Sequence, residues 1–208
     1  LLNDRSLHNC TMYFFNEPVT TKDRTLITQT PLNQTYFQLV DFFHPKLNPD
    51  LFYVSIEADF VPQASGIWDF GLSCCGTADL FIDDELVIDN TSSQTHGNTF
   101  LGEGTVEEFG EKGLVAGKMY KIRLEFGSAA TSTYHENGGV GFGGGGAKIG
   151  ACPRVKVEEG IRKAEKAAAA AEYTIICTGL SVRTYGTIHL LRFFLFLALN
   201  RTTADRVQ

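Results

Sequence analysis

The sequence contains no Cys-x-x-Cys spacing. Its five cysteines stand at positions 10, 74, 75, 152 and 177. An odd and scattered set supports neither a zinc site nor a disulfide framework. Basic charge is also sparse: 18 Lys and Arg face 24 Asp and Glu, for a net charge of -6. Nothing basic is concentrated enough to neutralise phosphates, so nucleic acid and anionic membrane are excluded as partners. No apolar run is long enough to cross a bilayer. The best stretch, Ile188–Leu199, is interrupted by His189 and Arg192 and is too short for a ~30 Å hydrocarbon core, so no membrane anchor is expected. The chain starts at Leu1 without Met or a signal peptide. That start reads as a fragment or a poor gene model, and it leaves the compartment, secreted or cytoplasmic, unknown. A disordered composition is absent as well, with 43% hydrophobic and 20% charged residues, ordinary values for a globular protein.

What is present points to β-structure. The 208 residues leave room for one ordinary domain and a remainder. Twenty-one glycines and sixteen phenylalanines suit an all-β body with many turns and an aromatic core. Thr11–Asn16 and Thr25–Thr30 read as short strands, and Tyr36–Phe43 is aromatic and β-prone until Pro45 and Pro49 end it. Leu51–Phe60 is the clearest strand, with Phe52, Val54, Ile56, Ala58 and Phe60 on one side. Trp68, Phe70 and Leu72 alternate in the same way, as do Ala78, Leu80 and Ile82 after a Gly76-Thr77 break. Asp83-Asp84 then marks a reversal into Leu86 and Ile88, because Asp tolerates the left-handed backbone that a tight hairpin requires. Thr91–Gly104 is a polar loop, longer than a structural connection needs, which is where binding function often sits. Met119–Phe126 is a further alternating strand, and Ser128–Gly146 is a Ser/Thr/Gly-rich connection.

The aromatic strand, the GTADLFIDDELVIDN hairpin and the Gln94-Thr95-His96-Gly97 loop together resemble the protective-antigen-type domain. In particular they are similar to the version inserted into fungal β-glucosidases of glycoside hydrolase family 3, over roughly Cys10 to Thr178. The resemblance implies a mainly β fold: an antiparallel β-sandwich over residues 1–148, then the start of an α/β domain over 149–180. Glu158–Ala171 reads as the one helix, built from strong helix formers with acidic residues at its positive end. Tyr173–Cys177 follows as a short, continuously apolar strand. Ala170, Ala171 and Glu172, then Gly179 and Leu180, match the family at this junction. The match stops at Ser181, where Val182-Arg183-Thr184-Tyr185-Gly186 replaces the family's Trp-Glu-x-Glu-Gly-x-Asp-Arg type motif. Residues 181–208 are therefore an unmatched tail, read as possible translated intron, since Val-Arg can be encoded by a splice-donor-like GTACGT.

A retaining glycosidase needs two carboxyl groups flanking the scissile bond. In the resembled family the nucleophile Asp lies upstream of the insert and the acid/base Glu lies in the motif lost after Leu180. No catalytic residue is therefore assigned, and the chain alone is expected to be inactive. Asp79, Asp83, Asp84 and Asp89 look like a cation cluster, but the loop that carries paired aspartates in calcium-binding relatives reads Cys75-Gly76-Thr77 here. No metal and no cofactor are expected. Cys74 and Cys75, adjacent on a strand, face opposite ways and read as inert thiols. Gly139–Gly144 fits GxGxxG formally, yet no helix follows it directly, as Pro153 and strand-like residues intervene. Four Asn-x-Ser/Thr sites, at Asn9, Asn33, Asn90 and Asn200, permit glycosylation in a secreted parent.

Substrate-binding candidates are Phe100 and His96, both in the long loop. As an aromatic at the end of a long polar loop, Phe100 reads either as a hydrophobic anchor or as a sugar-stacking platform. Members of the resembled family extend this insert over the sugar pocket and lend it a loop aromatic, and by position the resemblance makes Phe100 the candidate. The expected function is that of a β-glucosidase fragment that shapes the pocket or binds carbohydrate. Its expected partners are β-glucosides and the remainder of the parent chain. A stand-alone lectin- or adhesin-like module and a non-functional gene fragment are the alternatives.

Overall fold

The computed structural model describes residues 7–134, 143–154, 156–171 and 173–174. The strands are β1 (Leu7–Phe15), β2 (Thr28–Pro31), β3 (Tyr36–Gln38), β4 (Tyr53–Phe60), β5 (Gly66–Cys75), β6 (Thr77–Ile82), β7 (Glu85–Asn90), β8 (Glu108–Leu114), β9 (Tyr120–Gly127) and β10 (Gly146–Pro153). They form a six-stranded sheet, β2-β1-β4-β9-β6-β7, and a four-stranded sheet, β3-β10-β5-β8. All pairings are antiparallel. Fold class is thus mainly β, as the alternation predicts, and the antiparallel sandwich is the one the resemblance implies.

Strict period-two alternation sends one set of side chains inward from each sheet. Met12, Phe14, Val54, Ile56, Phe60, Ile122 and Leu124 come from the larger sheet, and Trp68, Phe70, Leu72 and Ile149 from the smaller. Phe60 meets Trp68 edge-on at 5.3 Å and Phe70 at 6.5 Å, while Phe37 meets Phe126 at 5.3 Å. These contacts join the two sheets. Each large side chain so buried is worth roughly 1.5–3 kcal/mol, which fixes register, because a one-residue slip would expose the whole set.

The stretch from Gly66 to Asn90 does not stay in one sheet. β5 belongs to the smaller sheet and β6 to the larger, and Gly76 is the corner between them, with φ of 116°. A Cβ there would collide with the Gly127 carbonyl oxygen, so the crossing requires glycine. At the hairpin, Asp83 and Asp84 both adopt left-handed backbone, with φ of 48° and 63°, as the Asp-Asp reversal predicts. Asp83 also accepts a bond from the Lys121 amide at 2.8 Å.

Two strands were not legible as such. β8 carries two glycines and three charged residues, with only Phe109 and Leu114 apolar, which blurs its alternation. β10 runs to Pro153 and pairs with β5 along its length, so the boundary expected at residue 148 falls inside it.

The connectivity gives the sandwich two distinct poles. Leu7 pairs with Phe60, which pairs with Tyr120. At the same pole Pro153 pairs with Trp68, and the Arg154 amide donates to the Ile67 carbonyl at 2.8 Å. The chain therefore enters and leaves the sandwich at one end. Long loops gather at the other. There the Asn16 amide side chain reaches the Lys46 carbonyl at 3.0 Å, the Leu39 amide reaches Gly145, and the Thr133 amide reaches Gln94.

Helix α1 spans Val157–Ala170, one residue earlier at each end than predicted, with Glu158 and Glu159 in its first turn. The strand expected from Tyr173 to Cys177 lies outside the described residues beyond Thr174, as do Gly139–Phe142 of the glycine run and the whole 181–208 tail. Among the described residues, no helix is long and apolar enough to cross a membrane.

Candidate functional site

Residues 91–107 carry the chain from β7 to β8 at the loop-bearing pole. Sequence reasoning marks this segment as long and polar; the structure shows it to be internally bonded. The Gly97 amide donates to Gly104 at 2.8 Å, Val106 to Thr95 at 2.9 Å, Gly102 and Gly104 to Thr99, and the Thr99 hydroxyl to the Thr105 carbonyl at 2.7 Å. With so many of its backbone groups paired inside the loop, it holds one shape.

Its root is buried and polar. Asn90 and Thr105 are both fully buried. The Asn90 side-chain amide donates to the Leu72 carbonyl at 3.3 Å and to the Thr105 hydroxyl at 3.0 Å, and that hydroxyl accepts from the Cys74 amide. The Gln94 side chain then clamps the loop to the Gly76 corner, donating to the Gly76 and Asn90 carbonyls at 2.7 and 2.8 Å. Such a fully partnered network rigidifies what it holds. It also removes Asn90 from the set of glycan acceptors, since its amide is buried and committed.

The two candidate binding residues take different places. His96 Nε2 bonds the Gly102 carbonyl at 2.7 Å, and its ring meets Tyr134 edge-on at 5.4 Å. The Tyr134 hydroxyl in turn donates to the Glu103 carbonyl, and burial pushes that phenol up to about 12. Phe100 is only 8% exposed. It packs with Cys75 and Ala129 and stacks on Tyr36 at 5.9 Å. The structure thus places Phe100 against the outer face of the smaller sheet.

Leu101, which sequence reasoning passed over, is 87% exposed. This difference between neighbours has a backbone cause. Phe100, Leu101 and Gly102 have φ of 51°, 58° and 94°, so three consecutive residues are left-handed, two of them bulky. Each such residue costs on the order of 1–2 kcal/mol. The turn drives Phe100 down onto the sheet and lifts Leu101 into solvent.

The four acidic residues do not converge on one point; only Asp79 and Asp89 are brought together. Asp83 and Asp84 occupy the hairpin turn. Asp89 accepts the Thr91 and Ser92 amides at 2.9 and 2.8 Å, which fixes the start of the loop. The Ser92 bonds, its side chain's first, hold the Asp89 carboxyl below its usual range. Asp79 stands directly across from Asp89. Burial, reinforced by the Asp89 charge, raises its carboxyl, and its Oδ1 is buried without a hydrogen-bond partner. Among the described residues, no group of three His, Cys, Asp or Glu side chains is arranged to hold a metal ion. Cys74 points into the core, where burial pushes its thiol to about 12, and Cys75 points outward beneath Phe100.

A sandwich that the chain enters at Leu7 and leaves at Arg154 on one pole, with a rigid loop capping the other, is a β-module whose geometry tolerates insertion into a longer chain. The PA14 domain model matches residues 8–140, and the chain belongs to the PA14 domain family. Over 178 residues it is 54% identical to the probable beta-glucosidase H of Aspergillus oryzae, covering 86% of this chain and 21% of that protein. It is 46% identical over 167 residues to the probable beta-glucosidase I of Aspergillus terreus, covering 80% of this chain and 20% of that protein. Among solved structures, the beta-glucosidase from Kluyveromyces marxianus in complex with glucose superposes with a TM-score of 0.69 at 32% identity, over 77% of this chain and 19% of that one. The chain thus spans about a fifth of the length of the relatives it matches.

Proposed function

We propose that this chain is part of a β-glucosidase that releases terminal, non-reducing β-D-glucosyl residues, and that its sandwich shapes the outer side of the sugar pocket. The supporting observation is the rigid 91–107 loop at the pole opposite the chain's entry and exit. An inserted module is held at its base, so the far pole is the part free to reach over a neighbouring site.

In this reading the loop's residues divide the work. Phe100 and His96 hold its shape, Phe100 by packing on Tyr36 and His96 through the Gly102 carbonyl. Leu101 offers an apolar surface to the flat C–H face of the outer sugar. None of the described side chains is given a catalytic role. The nucleophile and the acid/base are supplied by other parts of the parent enzyme. The module's effect is therefore on binding of the leaving sugar, and it sets how long a substrate the pocket accepts.

The test replaces the matching 178-residue segment of the Aspergillus oryzae relative with the aligned part of this chain, with and without Leu101→Ala. Losing the Leu101 side chain beyond Cβ removes roughly 1 kcal/mol of contact, or about fivefold in kcat/KM for cellobiose. An aryl glucoside, whose leaving group makes other contacts, should change less. An equal change on both substrates would refute the reading.

A further inference from the structure

At the entry and exit pole, three large apolar side chains lie in the open. Ile67 is 41% exposed, Val115 56% and Met119 56%. Backbone bonding brings together the segments that carry them. Val115 and Met119 flank a turn closed by the Lys118 amide on the Val115 carbonyl, with Gly117 at φ of 76°. That turn is tied to the strand entry by the Gly117 amide on Pro62 at 3.0 Å and the Ala116 amide on the Ser65 hydroxyl at 2.9 Å. The Tyr120 hydroxyl accepts the Val115 amide at 2.9 Å. Ile67 follows directly, and its carbonyl receives the Arg154 amide where the chain leaves the sandwich.

We propose that this pole, through Ile67, Val115 and Met119, seats on an apolar surface of the parent polypeptide that lies outside this sequence. The inference rests on the reading above, in which the sandwich is an insert. Two facts choose the occupant. The relatives extend far beyond the 21% that this chain covers. Both ends of the sandwich also emerge beside the patch, at Leu7 and Arg154, so the connected polypeptide is held there at high effective concentration. A rigid, hydrogen-bonded apolar turn beside both connections would set the angle at which the far loop is presented.

The chain's methionines make the contact readable. It has two, Met119 at 56% exposure and Met12 at 3%, and thioether oxidation follows access. Peroxide oxidation, followed peptide by peptide, should strike Met119 much faster than Met12 in the 208-residue chain. In the restored full-length enzyme Met119 should become several-fold slower. Equal Met119 rates in the two proteins would overturn the proposal. Concentration-dependent protection in the short chain alone would also overturn it, by making a second copy the occupant. Met119→Glu should lower the melting temperature of the restored enzyme and leave the short chain unchanged; an equal shift in both would count against it. Protection of Met119 without any Leu101 effect on cellobiose would remove the pocket reading and keep this contact. The reverse result would do the opposite.

Discussion

Truncating Phe100 separates a packing role from a surface one. Its ring is 8% exposed, covers Cys75 and stacks on Tyr36. Phe→Ala at a buried site costs roughly 3–5 kcal/mol, the lower end applying where the neighbourhood can relax. This site lies on the outer face of a sheet under one loop, so about 3 kcal/mol is expected. For a chain of this size each kcal/mol moves Tm by roughly 2–4 °C, giving a fall of about 6–12 °C for Phe100→Ala. Leu101→Asn is the control. The side chain lost is 87% exposed, and Asn tolerates the left-handed φ of 58° better than Leu. That variant should be unchanged or more stable by up to roughly 1 kcal/mol. Thermal and urea unfolding of the 208-residue chain measure both. A Phe100→Ala Tm within error of the parent, or a large loss in Leu101→Asn, would refute the packing assigned to this loop.

Other expectations follow from the same contacts. Gly76→Ala should cost roughly 3 kcal/mol or more, because it adds a clash with the Gly127 carbonyl to an unsuitable φ of 116°; urea midpoints check it. Asp79 has its carboxyl raised by burial above the ordinary 3.8, so folding favours its protonated form. The stability this gives is full below 3.8 and is lost as pH rises through the folded-state value. Asp79→Asn should therefore raise Tm at neutral pH, with the gain vanishing in acid; a gain independent of pH would contradict this. Expression in a glycosylating host should leave Asn90 unmodified, since its side chain is fully buried and bonded; a glycan found there by mass spectrometry would contradict the loop root.

Much of the sandwich is legible in its sequence because the inner face of most strands alternates strictly. Leu51–Phe60 and Met119–Phe126 show this most plainly, and the two aspartates of the hairpin announce their left-handed turn. Other features leave no local trace. The change of sheet at Gly76 depends on how closely Gly127 approaches from a distant strand. β8, with glycines at 110 and 113, gains its place by edge pairing with β5 rather than by its own pattern. At the loop tip, the sequence leaves Phe100 open between packed anchor and exposed platform, because nothing in Thr99-Phe100-Leu101-Gly102 signals two bulky left-handed residues. That geometry is imposed by Thr99, Thr105 and the His96–Gly102 bond, and only the assembled loop shows which neighbour faces solvent.

The most direct measurement is a structure of the restored full-length enzyme holding an uncleaved disaccharide analogue. Leu101 is predicted to lie in van der Waals contact, about 4 Å, with the outer sugar ring, with Phe100 still stacked on Tyr36. A sugar whose outer ring touches no residue of the 91–107 loop would contradict the account.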